Sequence, residues 1–268
     1  MSLRKRLPTS FVLLVFAFCL VQFVPPLWFL LVIQILILAS LVEFYNLFRV
    51  KKIFPQKIFG IILALIITSS FYFEGFSLPM ALFVCLLLAA VYYVISISSL
   101  EKLVSFPSEI ALTFFGAVYL SFTLDHFYLL KVEKGPYFIY FLLAVIFLGD
   151  TGAYMFGSLW GRRKLAPIAS PSKTWMGSFG GIIFAVLGAV FIHFIILKEI
   201  ILWKAIVTGI AVHIIAQFSD PLESLFKRAV GIKDSSNILP GHGGFLDRMD
   251  SLILATPFFY YFINFFWQ

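Results

Sequence analysis

The sequence is a succession of long apolar runs separated by short polar connections. Runs of roughly 20 apolar residues are long enough to cross a bilayer as helices. Nine such runs are present, at 8–23, 27–48, 58–73, 79–98, 109–130, 137–157, 175–197, 200–222 and 249–267. The predicted fold is therefore all-α, a polytopic integral membrane protein with about nine transmembrane helices.

Composition supports a membrane protein and excludes several other classes. Hydrophobic residues make up 62% of the chain and charged residues 12%, whereas soluble domains average about half apolar and a quarter charged. The net charge of +7 is distributed between the apolar runs, with no soluble basic domain, so no nucleic-acid partner is predicted. Cys19 and Cys85 lie inside apolar runs without metal-binding or disulfide-like spacing, which predicts neither zinc nor a disulfide.

The basic residues predict the orientation of the chain. If the N-terminus is cytoplasmic, 16 of the 20 Lys and Arg residues fall on the cytoplasmic side, and Lys131, Lys134, Lys198 and Lys204 fall outside. Because cytoplasmic loops of membrane proteins carry an excess of Lys and Arg, this asymmetry favours a cytoplasmic N-terminus and, with nine spans, an outside C-terminus. The two long polar connections, 158–174 and 223–248, then both face the cytoplasm.

A dense cluster of charge lies between residues 220 and 250. Five of the 13 acidic residues and four of the 20 basic residues fall in this stretch. Ionisable side chains beside membrane spans are costly, by about 2.5–3.5 kcal/mol at the bilayer centre, and usually mark a functional site. We therefore divide the chain into N-terminal helices (1–78), middle helices (79–135) and a C-terminal catalytic region (136–268).

Acidic residues of this cluster predict a metal site. Mg²⁺ binds one or two carboxylates and leaves its other positions to water and phosphate, and Asp220 and Asp247 would supply that pair, with Glu223 as a third candidate ligand. An internal ion pair between Glu223 and Lys227 is the alternative for Glu223. Asp220 and Glu223 are three residues apart. Asp247 and Asp250 repeat that three-residue spacing at a predicted helix start, where carboxylates are favoured in any protein.

Glycines and basic residues complete the predicted site. Gly243 and Gly244, with Gly231 and Gly241, would allow backbone N–H groups to approach an anion. The candidate phosphate-binding side chains are Lys227, Arg228, Lys233, His242 and Arg248. A metal, bound phosphates and a glycine loop together indicate phosphoryl or nucleotidyl transfer.

A second polar loop and one intramembrane acid join the candidate residues. Lys173, Ser172 and Thr174 lie in a Ser-Pro-Ser-Lys-Thr stretch that lacks the glycine spacing of a P-loop. Asp150 lies inside the sixth predicted span, where it would line a polar cleft, assist the metal site or accept a hydrogen bond from Tyr154 or Ser224.

Small residues recur every four positions along the seventh predicted span, at Gly177, Gly181, Ala185 and Ala189. This spacing allows helices to approach closely and predicts an architectural role for the stripe.

Two segments resemble a known family. The stretch from Ser224 to Asp250, with S-L-F-K-R, K-D-S-S-N and P-G-H-G-G-F-L-D-R-M-D, is similar to the signature of phosphatidate cytidylyltransferases, also called CDP-diacylglycerol synthases. Gly149 to Gly177 resembles a second block of that family. One departure is Pro221 after Ser219-Asp220, where members of the family more often have Gly-Asp followed by a large apolar residue.

The resemblance implies a reaction, cofactors and partners. CTP and phosphatidic acid would give CDP-diacylglycerol and pyrophosphate in phospholipid biosynthesis, with Mg²⁺ as cofactor, assistance from a monovalent cation such as K⁺, a homodimeric assembly and a multi-pass location in the cytoplasmic membrane. The K-D-S-S-N motif adds substrate-binding candidates Asp234, Ser235 and Asn237.

Two other functions share some of these features. A membrane lipid kinase acting on a prenol-type alcohol would also use metal carboxylates and basic residues, but would release a nucleoside diphosphate. A cation-coupled transporter would use Asp150, Asp220 and Glu223 as a relay near the midplane. The concentration of charge toward one membrane face favours the transferase over the transporter.

Overall fold

A computed structural model describes residues 15–236, 238 and 243–267. Asn237 and His242, both predicted site residues, lie outside the described residues.

The described part of the chain is almost entirely helical. Its α-helices are α1 (15–23), α2 (Pro26–Phe48), α3 (Lys57–Tyr72), α4 (Leu78–Ser96), α5 (Leu100–Leu124), α6 (His126–Leu129), α7 (Pro136–Trp160), α8 (Trp175–Ile195), α9 (Leu202–Ala229) and α10 (Leu246–Phe266). One π-helical turn, Leu130–Lys134, precedes α7. The prediction of an all-α polytopic membrane protein is confirmed.

The helices follow the predicted spans closely. Among the described residues, seven helical segments are long and apolar enough to cross a membrane, and α3 is a shorter apolar helix. Each predicted span from residue 27 onward corresponds to one helical segment, although 109–130 is divided between α5, α6 and the π-helical turn, and the first span is described only from residue 15. The number of nine spans and the orientation stay predictions.

Two helix boundaries differ from the predicted ones. Helix α5 begins at Leu100 rather than near 109, and α9 continues to Ala229 rather than ending near 222. Glu223, Lys227 and Arg228 therefore lie on a helix and not in a loop. Pro221, inside α9, cannot donate a hydrogen bond to the carbonyl group one turn earlier, so α9 lacks one backbone hydrogen bond next to Asp220.

The chain forms two compact units. Unit 1 contains the chain up to Pro26, Leu129–Ala229 and the chain from Met249 onward. Unit 2 contains Leu27–Tyr128 and Val230–Arg248.

Small residues bring α7 and α8 of unit 1 into close contact. The predicted stripe of Gly177, Gly181, Ala185 and Ala189 is buried along α8. A Cβ atom at Gly152 of α7 would lie 2.7 Å from the carbonyl oxygen of Gly180, so the backbones approach too closely for a larger residue. The predicted architectural role of this stripe is confirmed.

The polar loop before α8 contains a short β-hairpin. Strand β1 (Lys164–Ala166) pairs antiparallel with β2 (Ser170–Thr174), with Lys164 opposite Thr174 and Ala166 opposite Ser170. The hairpin ends at Thr174, directly before the first residue of α8, and Thr174 caps that helix by accepting a hydrogen bond from the Gly177 N–H at 3.1 Å. Lys173 thus lies on a strand that is held at the start of a helix.

The core of unit 2 forms around the second half of α2. The side chains of Phe44 and Tyr45 are fully buried, and the Tyr45 hydroxyl donates to the Thr113 carbonyl oxygen at 2.6 Å. A Cβ atom at Gly116 of α5 would lie 2.7 Å from the Tyr45 ring, so this glycine makes room for it. This packing also buries the neighbouring Glu43, which is only 2% exposed.

Candidate active site

An ion pair joins the hairpin of unit 1 to α9. The Lys173 Nζ atom lies 2.8 Å from Asp220 Oδ2, and both side chains are about a quarter exposed, at 24% and 27%. The Ser224 hydroxyl, one turn further along α9, donates to Asp220 Oδ1 at 3.3 Å. Two predicted site residues from separate polar segments, Lys173 and Asp220, are therefore brought together.

Two further carboxylates of unit 1 lie beside this pair. The Ser251 hydroxyl lies 3.2 Å from Asp250 Oδ1 and 3.4 Å from Asp150 Oδ2, which connects α10 to α7. Asp150, Asp220 and Asp250 interact electrostatically with one another, and Lys173 interacts with Asp150. We name Asp150, Asp220, Asp250 and Lys173 the carboxylate cluster.

The carboxylate cluster changes two expectations from the sequence. The partner of Asp150 is Ser251 rather than Tyr154 or Ser224. Asp250 was not among the predicted site residues, because its position at a helix start already had an ordinary explanation. Its spacing of three residues from Asp247 was the available signal.

The third predicted metal ligand is held in an ion pair. Glu223 Oε2 lies 2.5 Å from Lys227 Nζ, four residues along α9, and both side chains are buried. This is the alternative considered from the sequence, and it joins two predicted site residues to each other. Lys227 also interacts electrostatically with Asp250, so it lies at the edge of the carboxylate cluster.

The segment 230–248 forms a second group of candidate residues, within unit 2. Asp247 Oδ2 accepts hydrogen bonds from the backbone N–H of Ser235 at 2.9 Å, the Ser235 hydroxyl at 2.8 Å and the Gly244 N–H at 2.8 Å. Gly243 has a φ of +78°, a conformation that favours glycine. The Gly244 N–H therefore donates to Asp247, and a role for Gly244 in binding phosphate stays a prediction.

Glu43 of α2 is the main residue that the sequence interpretation missed. It accepts hydrogen bonds from Ser235, Ser236, Phe245 and Leu246. A single acid inside an otherwise apolar predicted span was the signal that could have identified it.

The remaining predicted residues differ in exposure. Lys233, Asp234 and Arg248 are exposed, and Arg228 is half-buried at the end of α9. Ser172 is exposed on β2, within 3.3 Å of the Ser170 hydroxyl. Thr174 is buried as the helix cap described above, which is a structural role.

The donor atoms fit a hard divalent cation. Among the described residues, no group of three or more His, Cys, Asp or Glu side chains could hold a metal ion by protein ligands alone. Mg²⁺ does not require such a group, since one or two carboxylates plus water and substrate phosphates complete its coordination. The partly exposed Asp220 and the half-buried Asp247 are donors of this kind.

The arrangement in unit 1 suits reactions of phosphate esters. Carboxylates can hold a cation that neutralises phosphates, and the adjacent lysine can contact a phosphate oxygen directly.

Comparison with known proteins agrees with this chemistry. The model of the cytidylyltransferase family matches residues 4–266. A phosphatidate cytidylyltransferase of Haemophilus influenzae is 43% identical over 159 residues, which are 56% of this chain and 54% of that protein. One from Staphylococcus epidermidis is 37% identical over 171 residues, 64% of this chain and 65% of that protein.

A third relative carries no assigned activity. The uncharacterized protein YnbB of Escherichia coli is 36% identical over 166 residues, 60% of this chain and 55% of that protein. The matched regions thus span between about half and two thirds of the length of these curated relatives. Because the family model covers nearly the whole sequence and the helices are of membrane length, this chain is a multi-pass cell-membrane protein that belongs to the cytidylyltransferase family.

Proposed function

We propose that the chain transfers the cytidylyl group of CTP to phosphatidic acid, giving CDP-diacylglycerol and pyrophosphate. The observation that carries this proposal is the carboxylate cluster, in which Lys173 of the polar loop before α8 forms an ion pair with Asp220 of α9. The two named cytidylyltransferase relatives support the choice of substrates. The reaction would take place at the predicted cytoplasmic face, where nucleotides are found.

The reaction needs positioning and charge stabilisation more than proton transfer. An oxygen of the lipid phosphate attacks the α-phosphorus of CTP, a new P–O bond forms, and the bond from the α-phosphorus to the bridging oxygen breaks to release pyrophosphate. The attacking oxygen is already anionic at neutral pH, so no general base is required. Binding both phosphates in line therefore supplies most of the rate.

The basic residues of the chain would bind these phosphates. The Lys173 side chain is only partly buried, so its ammonium group is accessible to a substrate phosphate. Its ion pair with Asp220 holds that group beside the proposed metal ligand. The other proposed phosphate ligands are Lys227, Arg228, Lys233, His242 and Arg248. Ser172, Asp234, Ser235, Asn237 and Gly243 stay predictions as substrate-binding residues.

Mg²⁺ is the proposed cofactor. Asp220 and Asp247 would hold it, on the grounds of their residue type and exposure, and Asp250 is a further carboxylate beside Asp220. Once bound, the cation would neutralise charge on the nucleotide and the leaving pyrophosphate. Assistance by a monovalent cation such as K⁺, and a homodimeric assembly, stay predictions from the family resemblance.

The membrane helices give the lipid substrate a direct route. Phosphatidic acid carries its acyl chains in the bilayer, and a site near the end of α9 can be reached by its headgroup without extraction of those chains. We propose that the lipid enters sideways from the cytoplasmic leaflet.

One experiment separates this proposal from its competitors. The purified protein in detergent is incubated with phosphatidic acid, Mg²⁺ and CTP labelled in the cytosine ring. Label in the organic phase together with released pyrophosphate supports the transferase. Conversion of the nucleotide to a diphosphate, with no label in the lipid, would support the lipid kinase instead. If no nucleotide is consumed, the cation-coupled transporter becomes the function to test.

A further inference from the structure

Glu43, a buried carboxylate of unit 2 that lies far from the carboxylate cluster in sequence, has four hydrogen-bond donors around it. Glu43 Oε1 accepts from the Ser236 hydroxyl at 2.7 Å and the Phe245 N–H at 3.1 Å. Its Oε2 atom accepts from the Ser235 hydroxyl and the Leu246 N–H, both at 2.9 Å. Each oxygen therefore has one side-chain hydroxyl and one backbone N–H within hydrogen-bond distance, and the single Ser235 hydroxyl proton is shared between Glu43 and Asp247.

The four donors come from the two ends of one connection. Ser235 and Ser236 follow the end of α9, whereas Phe245 and Leu246 lie at the start of α10. The first N–H groups of a helix have no partner inside it, so an acceptor at this position stabilises the helix start. Glu43 therefore fixes both ends of the segment that contains the glycine motif.

Glu43 is also connected to a proposed metal ligand. The Ser235 hydroxyl lies 2.9 Å from Glu43 Oε2 and 2.8 Å from Asp247 Oδ2. A Cβ atom at Gly244 would overlap both Ser235 Oγ and the Glu43 carboxylate, so these groups are packed against bare backbone. A shift of Glu43 would move Ser235, and with it the backbone and hydroxyl groups that donate to Asp247.

We propose that Glu43 is a positioning residue for the transfer reaction, which holds Ser235 and the start of α10 so that the proposed metal ligand Asp247 keeps its position. This inference rests on the proposed function for its catalytic consequence, while the positioning itself is a property of the fold. A helix-packing residue would be apolar here, because a buried carboxylate is costly unless it is fully hydrogen-bonded.

The chemistry requires a carboxylate and not an amide. A glutamine has one acceptor oxygen and one NH₂ group, and that NH₂ group would face a backbone N–H that it cannot accept from. Glu43→Gln therefore leaves Phe245 or Leu246 without a partner, although its shape is nearly unchanged. Glu43→Asp keeps both acceptor oxygens on a side chain shorter by one methylene.

The test compares three variants of the full-length protein. Glu43→Gln and Glu43→Asp are matched with Glu109→Gln, whose carboxylate accepts a hydrogen bond from Gln56 on a different part of unit 2. Hydrogen exchange is measured at the amides of 243–248 and along α3 to α5. Transfer of labelled cytidylate is measured as a function of CTP and Mg²⁺ concentration.

We expect Glu43→Gln to accelerate exchange at 243–248 by about tenfold or more, the effect of losing one hydrogen bond to a charged group. Exchange in α3 to α5 should stay unchanged, kcat should fall about tenfold or more, and half-maximal activity should need more Mg²⁺. Glu43→Asp should be intermediate, and Glu109→Gln should match wild type.

Two results would overturn the proposal. Unchanged exchange at 243–248 would mean that Glu43 does not hold the segment, and equal acceleration throughout unit 2 would mean a general packing role. If wild-type protein transfers no cytidylate, the proposed function fails, but the exchange data still decide whether Glu43 positions Asp247.

Discussion

The Nζ atom of Lys173 lies 2.8 Å from Oδ2 of Asp220, which joins the end of a two-stranded hairpin to the start of the last third of α9. Partly exposed ion pairs contribute little to stability, typically about 0–1 kcal/mol. Both partners are about a quarter exposed, at 24% and 27%, so the pair is better explained by a role in binding charge than by a role in folding.

The first prediction concerns this pair. Lys173→Met and Asp220→Asn should each lower kcat/KM by about 100-fold or more, the range for removal of one charge-stabilising group in an active site. The thermal unfolding temperature of both variants in detergent should stay close to that of the wild type. Lys164→Met, on the exposed face of the paired strand, is the matched control. Activity of Asp220→Asn within about threefold of wild type would exclude Asp220 as a required metal ligand.

The second prediction separates charge from structure at Asp247. Asp247→Asn keeps one oxygen that can accept from Ser235 and Gly244, so the fold should be preserved while transfer activity falls by about 100-fold or more. Asp247→Ala removes the acceptor as well and should also lower stability, by about 1–3 kcal/mol.

The measurement for Asp247 is cytidylate transfer together with thermal unfolding in the same detergent. Glu74→Gln, an exposed acid between α3 and α4, controls for loss of one negative charge. Equal destabilisation by Asp247→Asn and Asp247→Ala would argue against a role specific to the charge.

The third prediction concerns Thr174, which caps α8 through the Gly177 N–H. Thr174→Ala should destabilise the protein by about 1 kcal/mol, and Thr174→Ser should restore most of that stability because the hydroxyl is kept. The KM for CTP should stay within about twofold of wild type in both variants. A large rise in KM without loss of stability would instead support the substrate-binding role predicted from the sequence.

The fourth prediction concerns the close packing of unit 1. A Cβ atom at Gly181 would overlap the buried His213 ring and lie 3.1 Å from the Gly149 carbonyl oxygen. Gly181→Ala should therefore destabilise the protein by about 1–3 kcal/mol, as expected for overpacking. Gly75→Ala is the control, since a Cβ atom there meets nothing within 4 Å. The measurement is the thermal unfolding temperature in detergent. Equal unfolding temperatures for Gly181→Ala and Gly75→Ala would contradict the packing described for α8.

Local patterns in the sequence predicted local features well. The apolar runs placed the helices from α2 onward, because length and hydrophobicity decide whether a segment can span a bilayer. The stripe from Gly177 to Ala189 predicted close helix packing, and the spacing of Glu223 and Lys227 offered, as the alternative to a metal ligand, the ion pair found on α9. These features depend on residues within a few helical turns of one another.

Contacts between distant segments were harder to predict. The sequence identified Lys173 and Asp220 as site residues, but not that they form an ion pair. Asp250 was explained by its helix start alone, and Glu43 was counted only as part of an apolar run. The hydrogen bond between Glu43 and Ser235 joins residues 192 positions apart, and no periodic pattern records such a contact.

The sequence by itself determined that this chain is a helical membrane protein with its charge concentrated in two polar segments, because hydrophobic length and residue type act locally along the chain. Only the tertiary structure decided which charges meet. Burial of Glu43 beside Tyr45, and the hairpin that holds Lys173 next to α9, result from packing between segments that are far apart in sequence. A buried carboxylate is stable only where several donors converge on it, and that convergence exists only in the folded protein.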